Sequence, residues 1–468
     1  PFPLITSLVN ENAPLDELLQ SRTPYDEIVN WLDAEFKDLA DQLPLESAIV
    51  QTGNYYGRPT KGMALACRAR MLLFAASPLF NGNPLYNDIK NSDGVNLFPT
   101  SYDPNKWVRA KEATEDLLNL GVYKLYTEIN SSTGVIDPFL SFQNLFFTRG
   151  DVNKEIIFVR PGGTNYATYA SHCSPKGHNN RGNDGYCVTQ QLVDAFFTKK
   201  GLPISNDPDY KSTEFSTQDI YYTNTSYDLS TRDRTKGLIT PGNTFNMYVN
   251  REPRFYVTVT YNNLYIPTYE NNTEFFDGGA DGKNGGWDYP PTGYLNRKKV
   301  SPDDSPKTGA FPYRPGIVMR LGEFYLNYAE ILNEIDYSAN KAKAIEYLNK
   351  IRERAGIPLY GNAAGQVEIP KSYKDMQTAI RNERRVELAM EGIRYRDMRR
   401  WLIGRDLYDN QPITGMNTLG NATTFYDNSG KHLFLKRIWS DKMYLWPIPQ
   451  SAMDKNARLI QNYQWSVD

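Results

Sequence analysis

Apolar positions recur at helical spacing in several stretches of the chain, each with its own start and stop signals. Thr23 is placed as an N-cap with Pro24 at the first helical position, and Tyr25, Ile28, Leu32, Phe36 and Leu39 line one face before Pro44. A second helix is predicted over 60–77, dense in Met63, Ala66, Cys67, Met71, Leu72 and Phe74 and stopped by Pro78. Its many alanines predict close packing against the first. Asp103 and Pro104 open a third, with Trp107, Ala110, Thr114 and Leu117 on one face and Gly121 as C-cap. Thr189 caps a fourth that carries Leu192, Val193 and Phe196 to Gly201. Residues 321–335 and 340–355 are joined by only a few positions, which predicts an antiparallel helical hairpin stopped by Gly356. A last long helix starts near Ser372, passes Met376, Ile380, Val386 and Met390 to Gly392, and resumes through Tyr395, Met398 and Trp401.

Between about 200 and 315 the texture changes. Asn, Asp, Thr, Tyr, Gly and Pro dominate and helical periodicity is lost, so only short strands are expected, the best at 255–261, FYVTVTY. Helical pairs on both sides of this irregular insertion predict a mainly α chain: a discontinuous helical-repeat lobe supporting a loop-rich lobe with short strands. The expected divisions are 1–160, 161–315, 316–405, and 406–468 packing back on the body. No strict sequence period enforces repeats, and a mixed α+β body is the alternative.

Charge narrows the function classes. With 52 Lys+Arg against 54 Asp+Glu in 468 residues, the chain has no general attraction to nucleic acid or anionic membrane. Mean hydropathy is −0.58 and no apolar run approaches the roughly 18 residues of a membrane helix. Aromatics stand out, 33 Tyr, 21 Phe and 7 Trp, a composition suited to half-buried and binding surfaces. Cys67 reads as a small buried hydrophobe, while Cys173 and Cys187 share one loop and could pair as a disulfide. Pro1-Phe2-Pro3 has neither a basic nor an apolar leader region, so a leader has been removed or the chain is a fragment.

Catalytic signatures are sparse. There is no G-x-S-x-G, no H-E-x-x-H and no Walker A, residues 278–284 (GGADGKN) having the wrong spacing. His172, Cys173, His178 and Cys187 match no standard zinc spacing. Asp277, Asp281 and Asp288 fall at positions 1, 5 and 12 of a Gly-rich loop, a partial calcium-loop pattern that a flexible turn would equally produce, so no cofactor beyond a possible calcium is expected. Glu383, Glu387 and Glu391 share one helix face among Arg381, Arg384 and Arg385. Paired carboxylates are what a glycoside hydrolase needs, but surrounding arginines would ionise them, and the pattern reads as an ion-pair network between helices. No catalytic residue or metal ligand is assigned.

Loop aromatics make the stronger case. Phe275, Phe276, Trp287, Tyr289 and Tyr294 lie in one Gly/Asp/Pro-rich insertion without a core-like period. Flat apolar faces suit the C–H faces of sugar rings, with neighbouring Asn and Asp for hydroxyls. Trp287 is the lead stacking candidate, with Phe276, Tyr289 and Tyr294 beside it and Asp288 or Asn284 as hydroxyl partners. Tyr166, Tyr169 and Tyr186 form a second group among Asn165, Asn179, Asn180 and Asn183. Such rings can also serve merely to pin loops.

The C-terminal third resembles a known family. Residues 320–330 (RLGEFYLNYAE), 344–352 (AIEYLNKIR), 380–401 (IRNERRVELAMEGIRYRDMRRW), 445–449 (LWPIP) and 456–462 (NARLIQN) are similar to the motifs of the SusD/RagB-like outer-membrane nutrient-binding lipoproteins of Bacteroidetes. Upstream, residues 57–62 (GRPTKG), 193–196 (VDAF) and 250–255 (NREPRF) follow in the right order. The family's lipidated cysteine and first N-terminal portion have no counterpart here. The resemblance implies a non-enzymatic binding protein on tetratricopeptide-like helical pairs, anchored at the cell surface by a lipid absent from this chain. It would act as a lid on a SusC-like TonB-dependent transporter, capturing oligosaccharides or polysaccharide fragments, or in some members peptides. It also implies that the motif Arg and Glu residues are architectural and that the variable loops carry specificity. A glycoside hydrolase on a helical scaffold and a pure protein adaptor are the opposing readings.

Overall fold

The computed structural model describes residues 2–46, 56–131, 133–161, 166–228, 233–266, 268–269, 271–284, 286 and 288–465. Helix α1 spans Tyr25–Gln42, α2 Lys61–Ala76 and α3 Asn105–Leu118. Thr60 starts α2 as expected, its hydroxyl accepting from the Met63 amide at 3.1 Å. Ala64, Ala66, Ala69, Ala75 and Ala76 keep α2 thin, and it packs against both neighbours in one core with Val29, Trp107, Ala110 and Leu117. Arg68 of α2 reaches Asp33 of α1 at 2.6 Å and Asp116 of α3 at 2.5 Å. At α1 the cap is Pro24 and not Thr23, because the Thr23 hydroxyl accepts from the Leu4 amide instead. The buried face turns accordingly to Val29 and Ala40, and Leu39 is exposed.

Strand β1 (Ile156–Arg160) pairs antiparallel with β2 (Gly316–Arg320), Arg160 opposite Gly316. The irregular insertion therefore leaves and re-enters the body at one ladder. Helix α4 (Tyr166–Cys173) stands at its start.

Within the insertion two expectations fail. Thr189 leads only into Gln190–Val193, because the buried Arg251 guanidinium takes the Val193 and Phe196 carbonyls at 2.6 and 2.7 Å. Residues 255–261 are not one strand: α5 (Pro253–Thr258) is a short helix opened by Pro253, and only Val259–Thr260 is extended, paired with Leu295–Asn296. Every residue from 253 to 261 is buried, so the sequence alternation marks no pair of faces. Cys173 and Cys187 are both free. The Cys173 sulfur accepts from Asn296 Nδ2 at 3.3 Å, and Cys187 Sγ turns to the Asp184 carbonyl.

Helix α6 (Leu321–Ala355) is the expected hairpin, broken at Asp336 (φ −165°, ψ 105°), whose carboxylate accepts from the Ala339 amide at 3.0 Å. The rings of Tyr325 and Tyr347 lie 5.0 Å apart, whereas a straight helix at about 1.5 Å per residue would hold them about 33 Å apart. Ser372 caps α7 (Tyr373–Glu387), and Met390 and Gly392, both at positive φ, turn the chain into α8 (Ile393–Arg400).

Buried carboxylates of α7 tie it to α5, α6 and β2. Arg254 contacts Glu252, Glu383 and Glu387 at 2.6, 2.7 and 3.0 Å; Arg320 contacts Glu155, Glu387 and Glu391 at 2.7 Å each; Arg352 pairs with Glu383 at 3.2 Å, Arg354 with Glu155 and Glu387, and Lys298 with Glu391 at 2.8 Å. Burial opposes ionisation of Glu387 and Glu391, but the surrounding cations overcome it: Glu391 is held down at about 2 and Glu387 lower still. An ion-pair network between helices is what the sequence predicted, with two differences: Glu391 lies past the end of α7 and not on its face, and the counter-charges are Arg254, Arg320, Arg352, Arg354 and Lys298 in place of Arg381, Arg384 and Arg385.

Candidate functional site

The β1–β2 ladder, α4 and the segment around 299–315 enclose a cavity of about 270 Å³. Phe146, Arg160, Tyr166, Tyr169, Lys299 and Arg314 supply its principal side chains, with backbone from 315–318. Two of the residues nominated from the sequence, Tyr166 and Tyr169, thus meet here.

Each is held differently. Arg314 is buried and forked on Asp304 at 2.5 and 2.9 Å, it donates to the Lys299 carbonyl at 2.6 Å, and its guanidinium lies 5.2 Å from the Tyr166 ring centroid. The Tyr169 hydroxyl donates to the Lys298 carbonyl at 2.9 Å and accepts from Asn296 Nδ2 at 2.6 Å. Burial pushes that hydroxyl well above the usual phenol range, so Tyr169 has its polar end tied inside the protein. Its ring lies 5.4 Å from that of Tyr186, which is 45 % exposed and also packs on His172 at 5.5 Å. A tyrosine trio thus runs from the cavity to the surface.

The residues of 276–294 have other fates. Tyr294 is a correction: it is fully buried in a core that also takes in Ala355 of α6 and Val386 of α7, its hydroxyl donating to Gln190 Oε1 at 2.6 Å and accepting from Tyr248 at 3.2 Å. Phe276 packs against that same core, where Phe275 is fully buried. Asn284 is exposed but spends its amide on the Gly279 carbonyl at 2.6 Å. Asp288 is exposed, and its carbonyl accepts from Lys176 Nζ. Tyr289 is half-buried, 5.8 Å from Lys283 Nζ. Trp287 and Asn165 lie outside the described residues. The link from Lys176 to Asp288 means that one segment, 166–186, touches both nominated groups.

Of the carboxylates in the calcium-like loop, Asp281 is buried and accepts from the amides of Gly177 at 2.7 Å and Glu274 at 2.8 Å, closing loop on loop. Among the described residues no three His, Cys, Asp or Glu side chains are grouped to hold a metal.

Sequence reasoning missed Phe146, Arg160, Lys299 and Arg314. They come from four separate stretches joined by the strand pairing of 160 with 316, and the only local signal was the RKK triplet at 297–299.

The SusD family model matches residues 154–465. SusD-like protein P2 of Formosa agariphila is 30 % identical over 146 residues, 31 % of this chain and 25 % of the relative, so the match spans a quarter of that protein's length. The solved structure of BT4246 superposes with a TM-score of 0.79 at 26 % identity, covering 100 % of this chain and 80 % of that one. A SusD-like carbohydrate-binding protein of Bacteroides fragilis NCTC 9343 superposes at 0.63 with 22 % identity, covering 98 % and 75 %, a likeness of fold. With 38 % helix and 10 % strand, the chain shares the tetratricopeptide-like helical fold of these neighbours. Among the described residues no helix is long and apolar enough to cross a membrane.

Proposed function

The chain belongs to the SusD family, and from that premise we propose that it is a cell-surface binding protein that captures oligosaccharides or polysaccharide fragments and passes them, as a lid, to a SusC-like TonB-dependent outer-membrane transporter. A lipid anchor outside this chain would hold it at the outer membrane. The observation that carries the reading is the tyrosine trio: Tyr166 and Tyr169 at a cavity and Tyr186 exposed beside them, on the framework of a family that includes a carbohydrate-binding neighbour. Aromatic faces with hydrogen-bonding neighbours are what a sugar ring recognises.

Binding without turnover fits the carboxylates. Glu383 and Glu387 lie in buried salt bridges and Glu391 in a largely buried one, and among the described residues no carboxylate lines the cavity. A glycoside hydrolase needs two accessible carboxyl groups flanking the bond, one of them protonated.

The test is retention of the protein in native gels containing plant, host or microbial polysaccharides, with product release assayed in parallel. Retardation by one polysaccharide without products is the expected result. Released products would make the chain an enzyme, and binding of peptides with no polysaccharide retained would change the cargo. Trp287 remains a proposed stacking residue: Trp287→Ala should weaken the retained complex, and unchanged retention removes it from the site.

A further inference from the structure

Lys299 occupies the left-handed region at φ 67°, where a lysine is uncommon and costs about 1 kcal/mol or more unless the surroundings impose it. That backbone lies between the buried Lys298, whose ammonium is bonded to the Glu387 and Ala389 carbonyls and to Glu391, and the Arg314 contact on its own carbonyl. Its side chain lines the cavity, with Nζ 5.7 Å from the centre of the Phe146 ring. Among the described residues, Lys299 Nζ has no hydrogen-bond or ion-pair partner, and the exposed guanidinium of Arg160 on the same wall has none either.

The charge count around the cavity is one-sided. Among the described residues its lining holds Arg160, Lys299 and Arg314 and no Asp or Glu. Arg314 is neutralised by Asp304. Glu391, the carboxylate that acts on Lys299 electrostatically, is already claimed by Arg320 at 2.7 and 2.8 Å and by Lys298 at 2.8 Å. Two cations are left over. Burial also pulls the Lys299 ammonium below its usual range, with Glu391 opposing, as for a cation that lacks a close counter-charge.

We propose that this cavity receives the anionic substituent of an acidic saccharide, a uronate carboxylate or a sulfate ester, with Lys299 and Arg160 pairing to its oxygens and the sugar ring lying along Tyr166 and Tyr169. The inference rests on the capture function proposed above and names its substrate class. A volume of about 270 Å³ is near the small end of ligand pockets, about 300–1,000 Å³, so the cavity takes one charged unit while the rest of the chain passes over the surface beside Tyr186. A charge-assisted hydrogen bond in a partly dry site is about twice as strong as a neutral one, which makes an acidic unit the better-held one.

The experiment is calorimetric titration of the full chain with three size-matched oligosaccharide sets: oligogalacturonates, sulfated galactan oligosaccharides and neutral xylo-oligosaccharides. The variants are Lys299→Asn, which tolerates the left-handed backbone, and Arg160→Gln at the exposed position. The expected result is binding of one acidic set, at least tenfold weaker in each variant and weaker at high salt, with the neutral set bound poorly. Which acidic set binds separates carboxylate from sulfate. A neutral saccharide bound as well as the acidic ones and unaffected by either substitution overturns this inference and leaves the capture reading standing. Folded wild-type protein that binds no saccharide, charged or neutral, overturns both.

Discussion

Arg400 holds Glu330 with both terminal guanidinium nitrogens, Nη1 on Oε1 at 2.5 Å and Nη2 on Oε2 at 2.6 Å, and neither side chain meets solvent appreciably. Trp401 Nε1 adds a bond to Oε1 at 2.7 Å, and Arg400 Nε reaches Asp397 at 2.9 Å, a carboxylate that Arg384 also grips at 3.0 and 3.1 Å. The first half of the α6 hairpin is thereby fastened to α7 and α8. The desolvation of these charges is offset only while every partner is present. Arg400→Met leaves Glu330 buried and short of its main counter-charge, and should cost about 3–5 kcal/mol of unfolding free energy. A lower urea midpoint at unchanged slope is the expected signature, with ligand retention by the folded fraction intact. A loss under about 1 kcal/mol would mean that the pair behaves as a surface bridge.

Gly356 and Gly121 separate backbone from packing. Both sit in the left-handed region, at φ 68° and 66°. A Cβ on Gly356 would lie 2.5 Å from Pro138 Cγ, whereas one on Gly121 would meet nothing within 4 Å. Gly121→Ala should therefore cost only the conformational penalty of about 1–2 kcal/mol. Gly356→Ala should cost that and more, because Pro138 must move. Equal losses in matched denaturant titrations would show that the proline yields freely.

What was legible in the sequence follows from where each signal resides. Thr60, Ser372 and Gly356 act on their own helix ends, and the expected boundaries there match the structure to within a residue. The α7 glutamates announced that they would be paired, because carboxylates four apart among arginines suit buried pairing, but their partners, Arg254, Arg320, Arg352 and Arg354, come from other elements. Elsewhere distant partners decide. Arg251 takes the carbonyls that would have continued the helix after Thr189, and full burial of 253–261 removes the two-faced pattern that makes a strand readable. Tyr294 was misplaced for a related reason. In an insertion without periodicity, aromatics that build the core, such as Tyr248, Phe255, Tyr261 and Tyr294, look the same as aromatics on the surface. Arg160 and Lys299 meet only because the strands at the two ends of the insertion pair, and nothing local records that.

Asp184 gives the loops around it a pH dependence. It is buried with one carboxylate oxygen unpartnered, and its pKa is pushed up to about 8, first by burial and then by the charge of Asp281; Lys176 opposes and Asp288 adds to the shift. Asp281 is raised as well, by burial, with the Glu274 and Gly177 amides and then His178 opposing. A carboxyl with a raised folded pKa binds its proton more tightly folded than unfolded, so stability is greatest below the unfolded value of about 4 and falls as pH rises to about 8. Asp184→Asn should flatten that fall. The check is amide hydrogen exchange in 174–184 at several pH values, corrected for intrinsic rates: the wild-type segment should open more readily between about pH 5 and 8 while the variant changes little. Parallel behaviour of the two proteins would assign the dependence to another group.

Tyr186 and Tyr294 should part ways when tested together. Tyr186 presents 45 % of its surface to solvent and holds its ring against Tyr169 and His172, so Tyr186→Ala removes a candidate stacking face with little loss of core. At about 0.5–1.5 kcal/mol per aromatic contact the expected loss of saccharide affinity is about two- to tenfold, with the unfolding midpoint nearly unchanged. Tyr294→Phe keeps the ring and deletes the hydroxyl, leaving Gln190 Oε1 without its donor and Tyr248 without its acceptor inside the core. That change should lower stability by about 1–3 kcal/mol and leave the affinity of the folded protein as it was. Calorimetry with the saccharide retained in the native gels, run beside denaturant unfolding on both variants, reads the two effects separately. Affinity lost in Tyr294→Phe and kept in Tyr186→Ala would move the binding surface away from α4 and toward the core side of the insertion.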